Sequence, residues 1–265
     1  MERSPEAVSY SDIRFDVDDS IATITIDRPD RGNTLRPQTA LEIVDALRRF
    51  RRDAAVRAAI LTGAGDRFFC VGGEHDTPTS LDYSAVLPIV DVYELLDSVP
   101  KPVIAAVNGY AVGGGNVLQL MCDLAVASET AVFRQVGPMV GSFDAGYGTW
   151  YLEEAVGRRR AKEMWLLNRK YSATEALAMG LVTEVVSPGE VLTRASALAR
   201  ELAQRGPQAL AALKAAFSAR HTGVVGQARI AHDLLLTQYR RSYEAAELSA
   251  AFESKRVPRP DRFNR

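Results

Sequence analysis

The chain has 265 residues, 47% of them hydrophobic and 25% charged, and 32 basic against 33 acidic residues leave a net charge of −1. That length buries a substantial core in one or two domains, and the missing basic excess argues against nucleic acid or an anionic membrane as partner. Only two cysteines, Cys70 and Cys122, argue against a disulfide framework and fit a reducing cytoplasm. The N-terminal MERSPEAVSYSD has no signal-peptide core. Apolar runs such as PVIAAV fall far short of the ~20 residues that span a bilayer.

In chain order, IRFDV (Ile13–Val17) and IATITI (Ile21–Ile26) alternate as strands about the turn DDS. The loop RPDRGNTLRP follows, then PQTALEIVDALRRFRRD, which predicts a helix with Leu41, Ile43, Val44 and Leu47 on one face and arginines in its last turn. VRAAILTGAG reads as a buried strand. SLDYSAVLPIVDVYELLDSV reads as an amphipathic helix that Pro88 bends or breaks. KPVIAAVNG is a further buried strand, LAVAS and AVFRQ are short ones, and beyond about residue 146 the pattern turns helical except near LVTEVV. The expected architecture is α/β: a core over residues 1–195, then a helical region over 196–265. The apolar spacing of Ile230, Leu234 and Leu235 suits packing on the core and on neighbouring subunits.

GYAVGGGNVLQL places Gly113, Gly114 and Gly115 at the mouth of a helix, where each glycine costs about 0.5–1 kcal/mol relative to alanine. A dinucleotide fingerprint fails, because GAGDRF carries Phe68 where the third glycine belongs. A phosphate loop fails too, because Asn116 and Val117 stand where lysine and a hydroxyl residue belong. Two readings stay open: close strand–helix packing, or an oxyanion hole whose second donor comes from the Gly72-Gly73 pair in FFCVGGEH. His221 and His232 have no partner pattern for a triad, His75 reads as a loop residue, and no histidine or cysteine has metal-ligand spacing.

ITIDRPDRGNTL, AAILTGAGDRFFCVGGE, KPVIAAVNGYAVGGG, CDLAVASETAVF and ALAMGLVTEVV together resemble, in order and spacing, the crotonase (enoyl-CoA hydratase/isomerase) superfamily. The resemblance runs from about Tyr10 to Arg262. It implies a spiral of ββα units with a C-terminal helical trimerisation region, an acyl-CoA substrate, and a homotrimer or dimer of trimers. Oxyanion N–H donors then map onto Gly73 and Gly114. The two glutamates of the family's hydratases map onto Val117 and Gly137, so hydration by that route is not expected.

FRQVGPMVGSFDAGYGTWYL resembles naphthoyl-CoA synthases and 2-ketocyclohexanecarboxyl-CoA hydrolases. That likeness implies Asp144 as acid/base and Ser142 as a group orienting a substrate oxygen. It also implies a bicarbonate held by Gln135, Gly137 and Trp165, with no tightly bound cofactor otherwise. Asn116 is closer to the hydrolases, and Glu74 stands where both have Asp. The C-terminal tyrosine of both aligns on Arg240, one residue from Tyr239. Arg36 and the KRVPRPDRF tail are the groups expected to reach CoA phosphates; an alternative is a hydratase/isomerase-type reaction or a non-catalytic acyl-CoA binder.

Overall fold

The computed structural model describes residues 9–74, 88–140, 144, 146–223, 239 and 241–263. They fall into two compact units, 1–207 and 208–265. In the first unit, β1 (Ile13–Asp18) and β2 (Ile21–Ile26) pair antiparallel. The tight turn between them is made by Asp19 at φ +54°, a conformation in which Asp is among the better-tolerated residues.

From β2 the sheet grows in parallel through β3 (Ala58–Gly63), β5 (Val103–Val107), β7 (Leu124–Ser128) and β10 (Glu184–Val186), in the order β1-β2-β3-β5-β7-β10. Its inner strands are buried on both faces, as parallel sheets require. Ala59, Leu61, Ala105 and Val107 point into the main core, while Ala58, Ile60, Ile104 and Ala106 point the other way. That second face is covered by Val191, Ala195 and Ala199 of α7 (Val191–Ala203). A smaller sheet, β4 (Phe68–Cys70), β6 (Tyr110–Val112), β8 (Val132–Arg134) and β9 (Tyr171–Ser172), carries the polypeptide that surrounds the glycines. The two-residue β9 interrupts the stretch expected to be helical, pairing antiparallel with β8.

Helix α1 (Pro37–Arg52) starts on a proline and ends on Arg49, Arg51 and Arg52, which suits both ends of a helix. It buries Ala40, Ile43, Val44, Leu47 and Phe50, at about 1.5–3 kcal/mol for each of the larger side chains. Leu41 corrects the expected face: it is 51% exposed, because the buried stripe runs through 40, 43, 44, 47 and 50. The described part of α2 is Pro88–Ser98, with Pro88 as its first residue; the earlier part of that expected helix lies outside the described residues.

The remaining helices of the first unit are α3 (Gly114–Leu120), α4 (Tyr147–Val156), α5 (Arg158–Leu167) and α6 (Ala173–Ala178). In the second unit, α8 (Pro207–Thr222) and α9 (Tyr243–Glu253) are described. There the Arg256 guanidinium forks onto Glu247 and holds its carboxyl down at about 2. Among the described residues no helix is long and apolar enough to cross a membrane.

Candidate active site

The site begins with the loop after β2. Asn33, fully buried at φ +53°, donates to the carbonyls of Ala64 (3.1 Å) and Phe68 (2.7 Å) and accepts the Arg28 amide at 3.0 Å. Thus anchored, the loop presents Leu35 to the chain leaving β4. Leu35 donates to the Gly72 carbonyl at 2.8 Å, and Glu74 donates to the Leu35 carbonyl at 3.0 Å. Gly72 turns at φ +89°, and Gly73 lies between these bonds with its own N–H uncommitted among the described residues.

The three glycines that open α3 have three separate reasons. Gly113 sits at φ +55° and donates to the Arg134 carbonyl at 2.9 Å. Gly115 packs so tightly on the Cys70 carbonyl that no Cβ fits. Gly114 faces the β4 loop: a Cβ there would lie 3.6 Å from Gly72 Cα and 3.9 Å from Gly73 N. As first residue of α3, Gly114 has an N–H with no intrahelical acceptor. The close-packing reading therefore holds for Gly115. Close packing by Gly115 fixes the helix, and Gly73 and Gly114, neighbours across the β4 loop, keep N–H groups without an acceptor among the described residues.

Among the described residues of the surrounding loops, the carboxylates differ in their commitments. Glu74 is tied to Arg28 at 3.0 Å. Val117 and Gly137 are buried where hydratase carboxylates are expected. Asp144 remains: its Oδ1 accepts the amides of Gly146 (3.1 Å) and Gly148 (2.9 Å), and Oδ2 has no hydrogen-bond partner among the described residues. The carboxylate thus caps the first turn of α4 with one oxygen and leaves the other open.

The three residues expected to hold an anion differ. Gln135 is fully buried with both amide atoms unpartnered among the described residues. Gly137 is buried at the start of a short 3-10 turn, its N–H likewise free. Trp165 does not offer its indole N–H, which donates to the Gly148 carbonyl at 3.0 Å. Behind α3, Asn116 accepts from Gln119 at 3.0 Å, and both side chains are buried.

Arg36 forks onto Asp12, at 2.7 Å and 2.6 Å, so its guanidinium is held in an ion pair at the start of α1. Tyr239, in the second unit, is exposed and donates to Glu244 at 3.3 Å. Ser142, His75, His232 and Arg240 lie outside the described residues. One residue escapes the sequence reading: Tyr93 of α2, 4% exposed, places its hydroxyl 3.4 Å from the Gly114 carbonyl. Among the described residues no cluster of His, Cys, Asp and Glu is arranged to hold a metal ion.

A match to the enoyl-CoA hydratase/isomerase family spans residues 16–260. The chain belongs to that family. Its fold is similar to that of DspI from Pseudomonas aeruginosa, at 26% identity over 97% of this chain and 99% of that one, with a TM-score of 0.79. It is also similar to an enoyl-CoA hydratase from Bacillus anthracis (30% identity, 94% and 98% covered, TM-score 0.75). An enoyl-CoA hydratase from Mycobacterium avium subsp. paratuberculosis K-10 matches at 31% identity, 82% and 88% covered, with a TM-score of 0.74. The α/β fold expected of a crotonase is therefore the fold of this chain, and its family is one of acyl-CoA-processing enzymes.

Proposed function

We propose that this protein makes or breaks a C–C bond β to the carbonyl of an acyl-CoA thioester, through an enolate held by Gly73 and Gly114. The observation that carries the reading is that, among the described residues, the Gly73 and Gly114 N–H groups and Asp144 Oδ2 are all uncommitted, α3 carries no carboxylate, and the Asp144 charge acts on the Tyr93 hydroxyl beside Gly114. One such N–H is worth about 2.7–4 kcal/mol to a transition state.

In ring closure, Asp144 takes the α-proton and the enolate carbon attacks a carbonyl elsewhere on the acyl group, whose oxygen then takes a proton. In ring opening, water adds to a β-ketone and the C–C bond breaks. The electron pair leaves as the same enolate, and Asp144 returns a proton to the α-carbon. Ser142 would orient the second carbonyl oxygen in either direction.

Bicarbonate fits this site in part. Gln135 Nε2 and the Gly137 N–H are the donors that would hold it, whereas Trp165 is committed to Gly148; when bound it would supply a base. Self-association into a trimer or dimer of trimers, with each subunit taking an acyl-CoA, accompanies this reading.

The likeness to two hydratases favours a second reading, water addition to an enoyl-CoA. Mass spectrometry of products from a panel of β-keto, cyclic and aryl acyl-CoAs, with crotonyl-CoA included and bicarbonate present or removed, separates the two. Ring-opened or ring-closed products support the C–C reading. Hydration of crotonyl-CoA within the ordinary ~1–10³ s⁻¹ range overturns it.

A further inference from the structure

Tyr93 lies on the buried face of α2 with Val92 and Leu96, where a tyrosine ordinarily serves as core with its hydroxyl on a strong acceptor. Its ring packs against Tyr147, centroids 5.5 Å apart. The hydroxyl, however, has one partner among the described residues, the Gly114 carbonyl at 3.4 Å. That is well beyond the roughly 2.5–3.0 Å of a good O–H···O bond.

The placement of that oxygen is specific. A Cβ on Gly114 would meet it at 3.5 Å and meet the Gly73 amide nitrogen at 3.9 Å. The phenol and the Gly73 amide therefore border one small volume, the volume left free by the absent Gly114 side chain. A phenol O–H also turns about its C–O bond without moving the ring, so it can leave a weak acceptor for a better one.

We propose that Tyr93 is a third hydrogen-bond donor of the oxyanion hole, its O–H turning from the Gly114 carbonyl to the thioester oxygen as negative charge develops there. This rests on the acyl-CoA enolate reading and deepens it. Among the described residues, the titratable groups that act on the phenol are Asp144 and Cys70, with Tyr147 packed against its ring. Burial first, then the Asp144 charge, pushes the Tyr93 hydroxyl above the ordinary tyrosine range. Burial pushes the Cys70 thiol up to about 12. The phenol thus stays protonated, a neutral donor, across the range in which an enzyme works.

Acetoacetyl-CoA is the probe, because its enolate has an ultraviolet band that reports the apparent pKa of the bound ligand without turnover. The native protein should bind it and lower that pKa below the value in free solution. Tyr93→Phe keeps the ring against Tyr147 and removes only the hydroxyl. It should raise the bound pKa by about one unit, a tenfold loss of enolate stabilisation, at an unchanged melting temperature. Asp144→Asn should move it the other way, since removing a negative charge beside an enolate favours the enolate.

If Tyr93→Phe does not fold, 3-fluorotyrosine at position 93, a more acidic phenol and a stronger donor, should lower the bound pKa instead. A native protein that lowers the pKa, with variants at 93 that do not change it, overturns the role of Tyr93 alone. A native protein that leaves the pKa of acetoacetyl-CoA unshifted overturns the enolate reading and this proposal with it.

Discussion

Asp144 and Trp165 share one glycine: the carboxylate accepts the Gly148 N–H at 2.9 Å, and the indole donates to the Gly148 carbonyl at 3.0 Å. Both side chains take their positions from the first turn of α4. A Cβ at Gly148 would lie 2.9 Å from Asp144 Cγ and 3.0 Å from Trp165 Cζ2, closer than packed atoms tolerate. Any side chain there displaces the carboxylate, the indole or both.

Gly148→Ala should therefore lower kcat more than it lowers stability. Overpacking of this kind costs about 1–3 kcal/mol, whereas misplacing a reacting group by about 1 Å can cost 10²-fold in rate. Thermal unfolding and turnover on the same preparation check it. A fully active Gly148→Ala protein would show that Asp144 needs no fixed position.

The glycines of the hole should separate cleanly by substitution. Gly115→Ala places a methyl on the Cys70 carbonyl, joining two pieces of backbone that have no freedom to part; it should yield little soluble protein. At Gly73 nothing lies within 4 Å of a Cβ and φ is ordinary. Gly73→Ala keeps its N–H and should fold with a stability within about 1 kcal/mol of native. Expression yield and melting temperature of the two variants, side by side, decide the point.

Low pH should loosen this region through Asp12. The Arg36 guanidinium, with Thr39 and Arg28, holds the Asp12 carboxyl at about 2, against the opposing effect of burial. Its folded value lies below the unfolded one, near 3.8, so its contribution is fully present above about pH 4 and is lost as pH falls toward 2. By the linkage relation that contribution is about 2 kcal/mol. Asp12→Asn should lose roughly that much at pH 7, and its stability should fall less steeply than the native protein's between pH 4 and 2. Chemical denaturation across that window is the measurement. Equal slopes in the two proteins would place the acid sensitivity elsewhere. Because Leu35 precedes Arg36 and pairs with Gly73, activity should be acid-sensitive in the same window.

Local chemistry made much of this molecule legible. The apolar runs gave β1, β2, β3, β5, β7 and β8, because each is a short run bounded by turn residues, whereas the three-residue β6, Tyr110–Val112, is too short to stand out from the glycine loop that follows it. The glycine pairs left close packing and backbone donors both open in the sequence, because only the backbone contact of Gly115 with the Cys70 carbonyl tells one glycine's task from another's. The 41 position misled, because a leucine next to a buried stripe reads the same as one inside it. Tyr93 escaped notice for the opposite reason: a tyrosine on the apolar side of a helix looks like core until its hydroxyl is seen beside Gly114. The commitment of Trp165 to Gly148 joins residues 17 apart, a partnership that no helical or strand period predicts.

Asp144 carries the sharpest test. Its Oδ1 accepts the Gly146 amide just before α4 and the Gly148 amide within it, a task Asn performs equally well, since Asn and Asp are comparable in capping helices. Asp144→Asn should therefore fold, melt within about 1 kcal/mol of native, and bind acyl-CoA. If Oδ2 moves the α-proton, an amide cannot replace it, and general acid–base catalysis is typically worth 10²–10⁴-fold. We expect exchange of the α-hydrogens of bound acyl-CoA with deuterated solvent to slow by at least ~10², and product formation with it. Slowed exchange at native stability separates proton transfer from capping, because a cap alone touches neither rate. Native exchange in a folded Asp144→Asn protein would reduce Asp144 to a cap and move the acid/base elsewhere.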